Sequence, residues 1–192
     1  FFAIPTTEGT GSEATIAAVI SDPVNHAKTP VVDLKVVPIA AALDPTIMAG
    51  MPPHITAATG MDALTHAVEA YVGKANTKET DRYALAAVKM IFKYLPRAYE
   101  NGQDMEAREA MALASFYAGL AFTRTGVGYV HAIAHNFGGH YGTPHGLANA
   151  IVLPYILEFY QDSASKRMAE MATATGIGQQ LVGNEALASK FI

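Results

Sequence analysis

The chain has 192 residues, of which 51% are hydrophobic and 16% charged, and its formal net charge is −4. This composition without a basic block argues against a nucleic-acid partner. The absence of cysteine excludes disulfides, thiolate chemistry and cysteine-ligated metals, and it fits a cytoplasmic protein. The charged fraction lies below the roughly 25% of an average soluble chain. We therefore expect surface that another segment or a second copy covers, as in a homo-oligomer.

The two most apolar stretches do not predict a membrane segment. Ala150–Leu157 contains Pro154 and is too short to cross a bilayer. Phe1–Ile4 has no basic residue before it and no cleavage pattern after it, so it does not resemble a signal peptide. Since natural termini are usually polar, this apolar start suggests that the sequence is an internal piece of a longer protein.

Residues 1–44 show the pattern of strands and turns. Phe1–Ile4 is a candidate strand, and Thr6–Glu13 is a turn rich in hydroxyl groups and glycine. Thr15–Ile20 is β-branched and apolar, which predicts a second strand. Further strand candidates are Val31–Val32 and Ile39–Leu43. The pattern indicates the edge of an α/β domain.

After residue 46 the apolar residues recur at helical spacing. Pro52-Pro53 suits a helix start, and Asn76 or Thr77 and Asp104 are suitable caps. A stop is predicted at Pro96. The predicted helices cover residues 55–71, 77–94, 104–122, 127–137, 144–160, 163–173 and 185–191. We therefore predict a mainly α fold with a residual α/β part, divided near residues 46–52.

Four of the seven histidines lie within one short segment: His131, His135, His140 and His145. Residues four apart on a helix face the same way, so His131 and His135 form one pair and Asp62 with His66 another. His145 follows a proline at a predicted helix start, and a predicted loop over residues 138–143 lets it fold back beside His131. We place His140 in that loop.

One carboxylate with several imidazoles suits a divalent metal such as Fe²⁺, Zn²⁺, Co²⁺, Ni²⁺ or Mn²⁺. Each pair alone also fits an ordinary hydrogen-bonded pair or a buried core histidine. A zinc-protease helix is a poor match, because no glutamate stands between His131 and His135.

Three segments carry a resemblance to a known family: IPTTEGTGSEAT (4–15), LDPTIMAGMPPHITAATGMDALTHAVEAY (43–71) and GYVHAIAHNFGGHYGTPHGLANAIVLP (128–154). In their order and separation they resemble the metal-dependent group III, or iron-containing, alcohol dehydrogenases. The resemblance implies that residues 1–48 are a remnant of an α/β dinucleotide-binding domain. It also implies that residues 49–192 form a helical metal- and substrate-binding domain, on the plan shared with dehydroquinate-synthase-like enzymes.

The same resemblance implies a metal site for Fe²⁺, with Zn²⁺ as the alternative. Its ligands would be Asp62, His66, His131 and His145. His135 would lie beside the nicotinamide and help to move the alcohol proton. The implied reaction is hydride transfer between a small alcohol, or its aldehyde or ketone, and a nicotinamide cofactor.

The resemblance also implies cofactor contacts, with NAD and NADP both open. The implied residues are Thr6, Thr7, Thr15, Lys28, Ile47, Gly50 and Met51. Glu8 departs from the small residue that is usual in this turn, and its carboxylate must point away from a pyrophosphate. Two other hypotheses stay open: a helical metal-binding module without turnover, and an enzyme like glycerol dehydrogenase or dehydroquinate synthase.

Overall fold

The computed structural model describes residues 1–22, 24, 25 and 27–192, and for Ala27 and Lys28 it describes the backbone alone. The predicted cofactor contact of the Lys28 side chain therefore lies outside the described part of the chain.

The strands form two small sheets of two strands each within the described residues. β1 (Phe2–Ala3) pairs in parallel with β4 (Ala40–Ala41), with Phe2 opposite Ala40. β2 (Ala17–Asp22) and β3 (Ala27–Val32) form an antiparallel hairpin. These strands lie close to the predicted ones, although the second begins two residues later than Thr15.

Helices make up the rest of the secondary structure, apart from two 3₁₀ turns at Ser12–Ala14 and Leu34–Val36. The helices are α1 (Pro45–Met48), α2 (Pro53–Val72), α3 (Lys78–Glu100), α4 (Met105–Thr125), α5 (Tyr129–Tyr141), α6 (His145–Phe159), α7 (Gln161–Thr175) and α8 (Asn184–Phe191). None of the helices in the described ranges is both long and apolar enough to cross a lipid bilayer.

Small side chains let α2, α3 and α4 approach one another closely. Fully buried alanines lie on all three, among them Ala67, Ala87 and Ala114. An alanine offers no bulk to hold two helix axes apart, and it has the highest helix propensity. α2 is buried at every residue from Asp62 to Tyr71, because α3, α4, α6 and α7 all contact it. α2 is therefore the central helix of the domain.

The helix starts follow the predicted caps. The Thr77 side chain accepts a hydrogen bond from the backbone of Thr80, whose own hydroxyl accepts from the Thr77 backbone. Asp104 accepts from the backbone N–H of Ala107 at the start of α4. Each cap satisfies backbone donors that the first turn of a helix leaves open.

Two predicted boundaries are wrong. α3 continues past Pro96 to Glu100, because the turn after the proline is held by a buried Ala98 and by an ion pair of 2.8 Å between Arg97 and Asp104. α5 continues to Tyr141, so His140 lies in its last turn rather than in a loop. The connection to α6 is correspondingly shorter than the predicted loop.

The predicted fold class is confirmed as a mainly α chain with a strand-bearing edge. The division at residue 48 stays a prediction.

Candidate metal centre

Three helices bring the predicted ligands together. α2 carries Asp62 and His66 one turn apart, and α5 carries His131 in its first turn. His145 is the first residue of α6. Gly142 ends α5 in the left-handed conformation, with φ of 65°, which a residue with a Cβ adopts rarely. After this tight turn the chain enters α6, which packs on both α5 and α2.

The nitrogen atoms of three histidines surround one carboxylate oxygen. Asp62 Oδ1 lies 3.4 Å from His145 Nε2, 3.5 Å from His131 Nε2 and 3.9 Å from His66 Nε2. Ligand atoms of Asp62, His131 and His145 all lie within 4.8 Å of one another. Asp62, His66 and His131 are buried, whereas His145 is partly exposed. His145 lies beside His131 as predicted, with ring centroids 5.3 Å apart, although the connecting loop is shorter than predicted.

These separations fit a metal better than direct hydrogen bonds. A hydrogen bond between nitrogen and oxygen usually measures about 2.7–3.2 Å, so all three distances are long for one. Four ligands at about 2.1 Å from a tetrahedral ion lie about 3.4 Å from each other. Asp62, His131 and His145 therefore have both the chemistry and the spacing to hold a divalent ion of the first transition series. His66 Nε2 lies farther out, at 3.9 Å from Asp62 Oδ1, and is not part of this close group of three.

The charges at the site also favour a cation. Two buried carboxylates, Asp62 and Glu69, lie against the imidazoles of this site. Burying carboxylates without compensating positive charge is costly. Although burial alone would raise it, the pKa of Asp62 is held well below its usual range by His66, His131 and His145.

The pKa values of two of these histidines shift in opposite directions. Burial lowers the pKa of His66 to about 4, against the opposing effect of Asp62. His131 is also desolvated, which lowers its pKa, but the neighbouring carboxylates of Asp62 and Glu69 raise that pKa to about 9. His66 is thus ready as a neutral ligand, whereas His131 holds a proton that a metal would displace.

Two polar residues at this site are not among those predicted from the sequence. The Nδ2 atom of buried Asn149 donates to Asp62 Oδ1 at 2.7 Å and lies 3.2 Å from His131 Nε2. Glu69 Oε2 lies 2.6 Å from His131 Nδ1. The sequence did contain an indication of both residues, because Asn149 is four residues from His145 and Glu69 is three residues from His66. Helical spacing alone puts both beside predicted ligands.

Ring contacts border the site on two sides. The His66 ring stacks on Phe122 of α4 with centroids 4.1 Å apart and on His131 with centroids 4.4 Å apart. The predicted proton carrier His135 is half-buried, and its ring centroid lies 5.1 Å from that of His145. His135 therefore lies beside the ligand group, on the side where His145 is partly exposed.

The predicted cofactor residues lie along the N-terminal segment and before α2. Thr6, Ile47 and Gly50 are exposed, whereas Thr7 and Met51 are half-buried. Such residues remain accessible to a ligand.

Thr15 differs from the other predicted cofactor residues. It is buried, and its hydroxyl donates to the backbone oxygens of Ser12 and Ala17. This hydroxyl shapes the end of the glycine-rich turn, so any contribution of Thr15 to a cofactor site acts through the backbone that it holds.

The turn itself packs tightly on the helices of the metal site. A Cβ at Gly11 would lie 2.7 Å from the Ser115 oxygen of α4, and Gly11 has φ of +58°. The backbone N–H of Ile16 donates to Thr123 Oγ1 at 3.0 Å. Thr123 follows Phe122, which stacks on His66. The predicted cofactor turn and the ligand group therefore share α4 as a wall.

Comparison with known proteins gives the same family from both parts of the chain. Residues 56–191 match the model of the Fe-containing alcohol dehydrogenase family, C-terminal, and residues 1–45 match the model of iron-containing alcohol dehydrogenase. An NAD-dependent methanol dehydrogenase of Bacillus methanolicus is 48% identical over 174 residues, which is 91% of this chain and 46% of that protein.

Solved structures agree with this assignment. A 1,3-propanediol oxidoreductase superposes with a TM-score of 0.95 at 40% identity, over 99% of this chain and 50% of that one. A sulfoacetaldehyde reductase from Bifidobacterium kashiwanohense in complex with NAD⁺ superposes with a TM-score of 0.87 at 38% identity, over 99% of this chain and 50% of that one. This chain thus spans about half the length of these proteins. By sequence and by fold, it belongs to the iron-containing alcohol dehydrogenase family.

Proposed function

We propose that this chain carries the metal half of an alcohol dehydrogenase active site, with Asp62, His66, His131 and His145 as the ligands of one divalent ion. The reaction is hydride transfer between a small alcohol, or its aldehyde or ketone, and a nicotinamide cofactor. The observation that carries the proposal is the convergence of three Nε2 atoms on Asp62 Oδ1, at 3.4–3.9 Å. The ion is Fe²⁺, in keeping with the family, and Zn²⁺ has the same donor preferences.

The ion, when bound, supplies a Lewis acid toward an alcohol or carbonyl oxygen, and the nicotinamide supplies the hydride acceptor or donor. Asp62 and the three histidines fix the position of this chemistry. The ligands come from α2, α5 and α6. Because α6 packs on both other helices and Glu69 of α2 holds Val130 and His131 of α5, the site is held from several sides. Such preorganisation holds reacting atoms at contact distance.

His135 moves the proton. It is only half-buried and its ring lies 5.1 Å from that of His145, so its imidazole can exchange a proton with solvent and with the alcohol. An imidazole gives or takes a proton at little cost near neutral pH. Phe122 closes the other side of the site by stacking on His66, which keeps water from that side.

The cofactor lies along the N-terminal segment, against Thr6, Thr7, Ile47, Gly50 and Met51. The backbone around Thr15 completes the described part of this binding surface, and the predicted Lys28 contact lies outside it. Support comes from the exposure of several of these residues and from the packing of the Gly9–Ser12 turn on α2 and α4. Two of the proteins named above, the methanol dehydrogenase and the sulfoacetaldehyde reductase, are NAD-dependent or bind NAD⁺ by their names, so NAD is the proposed cofactor, with NADP as the alternative.

The same proposal covers the division into domains, the cellular location and oligomeric state, and the class of substrate. Residues 1–48 are part of the cofactor domain, and residues 49–192 are the metal- and substrate-binding domain. The protein acts in the cytoplasm as a homo-oligomer, which would cover apolar surface such as Tyr155 and Phe159, exposed at 70% and 71%. The substrate is a small alcohol, in line with the methanol and 1,3-propanediol in the names of two relatives.

The test combines metal analysis with cofactor binding. The chain is loaded with Fe²⁺ without oxygen, or with Zn²⁺. Bound metal is measured by elemental analysis, NADH binding by fluorescence, and turnover by NADH formation with small primary alcohols. We expect one ion per chain, and we expect His131→Ala to lose metal and turnover together. His140→Ala is the matched control, because His140 is an exposed histidine in the last turn of the same helix.

Two outcomes would contradict the proposal. Stoichiometric metal in His131→Ala would reject the ligand set. Metal binding by the unchanged chain without NADH binding or turnover would favour a helical metal-binding module over an enzyme.

A further inference from the structure

Glu69 is a buried carboxylate on the same face of α2 as two of the proposed ligands. It lies three residues after His66 and seven after Asp62, so all three side chains leave the helix on one side. Its exposed fraction is 4%. A carboxylate at this depth needs partners that offset its desolvation.

Both oxygens of Glu69 are used by the first turn of α5. Oε1 accepts a hydrogen bond of 2.7 Å from the backbone N–H of Val130, and Oε2 lies 2.6 Å from His131 Nδ1. The approach depends on Gly128, where an added Cβ would lie 2.8 Å from Oε1. The carboxylate is therefore fixed at two points, with no freedom to turn away from His131.

This contact determines which nitrogen of His131 remains available. A carboxylate accepts hydrogen bonds and cannot donate one, so the Nδ1 of His131 carries a proton toward Glu69. The other nitrogen, Nε2, then points at Asp62 Oδ1, 3.5 Å away. A histidine can ligate a metal only through a nitrogen that carries no proton.

We propose that Glu69 is the positioning residue that fixes the orientation and the tautomer of His131 for metal binding. The inference rests on the proposed function, since it concerns a ligand of the proposed ion. A carboxylate on the far nitrogen also makes the imidazole a stronger donor to the ion. Glu69 itself does not touch the ion.

A different reading is that Glu69 only anchors the start of α5 through Val130. The substitution Glu69→Gln separates the two. A glutamine keeps one oxygen, which can still accept from the Val130 N–H, and it then presents its NH₂ group to His131 Nδ1. That arrangement moves the ring proton to Nε2 and blocks the ligating nitrogen, whereas the anchor of α5 persists.

The experiment is a Co²⁺ titration of the chain, followed by visible absorption, with folding checked by circular dichroism. We expect Glu69→Gln to bind Co²⁺ about 10- to 100-fold more weakly, the usual effect of losing such a partner. The matched control is Glu170→Gln, which also removes a carboxylate that accepts a 2.6 Å hydrogen bond, here from Tyr71 at the end of α2. The control should bind Co²⁺ as the unchanged chain does.

A dissociation constant for Glu69→Gln within about threefold of the unchanged chain would overturn the role of Glu69 and leave the ligand set standing. Failure of the unchanged chain to bind Co²⁺ would overturn the proposed function, and the role of Glu69 with it. The two failures are thus distinguishable.

A second measurement does not depend on any variant folding. Nitrogen-15 NMR of the unchanged Zn²⁺-loaded chain should show His131 with a proton on Nδ1, in a strong hydrogen bond, and none on Nε2. A His131 ring without an Nδ1 proton would overturn the inference.

Discussion

Glu8 and Arg108 lie 100 residues apart in the sequence and form a buried ion pair of 3.1 Å. Arg108 also donates to Thr56 Oγ1 and to the backbone oxygens of Gly102 and Met51. The Glu8 carboxylate therefore points into the helical part of the protein and away from the exposed side of the turn, where we propose that the cofactor binds. The unusual glutamate in this turn joins the strand-bearing edge to the helices.

Glu8 should make the protein less stable as the pH rises. Burial raises the pKa of Glu8 to about 7, against the opposing effect of Arg108, from an ordinary value of 4.5. Between these values the folded state binds more protons than the unfolded state, so the free energy of unfolding falls as pH rises. Above about pH 7 this contribution is lost. This contribution of Glu8 to the free energy of unfolding is on the order of 3 kcal/mol.

The measurement is urea unfolding of the unchanged chain and of Glu8→Gln at pH 5 and pH 8. The difference in stability between the two proteins should change over this range, because glutamine does not titrate. Glu106→Gln is the control: Arg97 lowers the pKa of exposed Glu106, so its titration lies below this range. Equal pH dependence in the unchanged chain and in Glu8→Gln would refute the prediction.

Arg108→Met should be strongly destabilising. The substitution leaves Glu8 buried without its cation and removes the donors to Thr56 and to two backbone oxygens. Breaking one side of a buried ion pair typically costs about 3–5 kcal/mol. We expect the free energy of unfolding, measured in urea, to fall by an amount of this size.

A double-mutant cycle tests whether the pair is responsible. Glu8→Gln combined with Arg108→Met should cost less than the sum of the two single changes, because neither charge is then left alone. Additive losses would mean that Arg108 acts through its backbone contacts and not through Glu8.

Part of the candidate ligand group could be predicted because Asp62 and His66, and likewise His131 and His145, are close to each other in sequence. The spacing of four between Asp62 and His66 is a local property, and α2 preserves it. Glu69 and Asn149 obey the same rule and were overlooked because they match no ligand motif. Spacing shows which side chains share a face, but not what that face meets.

The features that could not be predicted depend on contacts between distant segments. The partner of Glu8 is 100 residues away, and no local pattern identifies it. The continuation of α3 past Pro96 depends on Asp104 and Glu106 of the next helix, which hold Arg97. The parallel pairing of Phe2 with Ala40 likewise joins segments separated by the whole hairpin.

Gly146 lies where the backbone of α6 comes close to that of α2, so replacing it should disturb both the fold and the proposed metal site. A Cβ at this position would lie 1.8 Å from the backbone oxygen of Ala58. Neither backbone can yield easily, so α6 would have to move away from α2. Overpacking of this kind typically costs about 1–3 kcal/mol and occasionally more. We expect the cost of Gly146→Ala to lie at the upper end of this range, because the added Cβ meets backbone atoms rather than a flexible side chain.

The movement would also separate the ligands. His145 precedes Gly146 on α6, whereas Asp62 lies one turn after Ala58 on α2. We therefore expect Gly146→Ala to lower the unfolding midpoint in urea and to weaken Zn²⁺ binding, as measured by isothermal titration calorimetry. Gly50→Ala is the control, because a Cβ there meets nothing within 4 Å, and its stability should stay within about 0.5 kcal/mol. If Gly146→Ala were as stable as this control and bound Zn²⁺ equally well, α2 and α6 would not hold the ligands at a fixed separation.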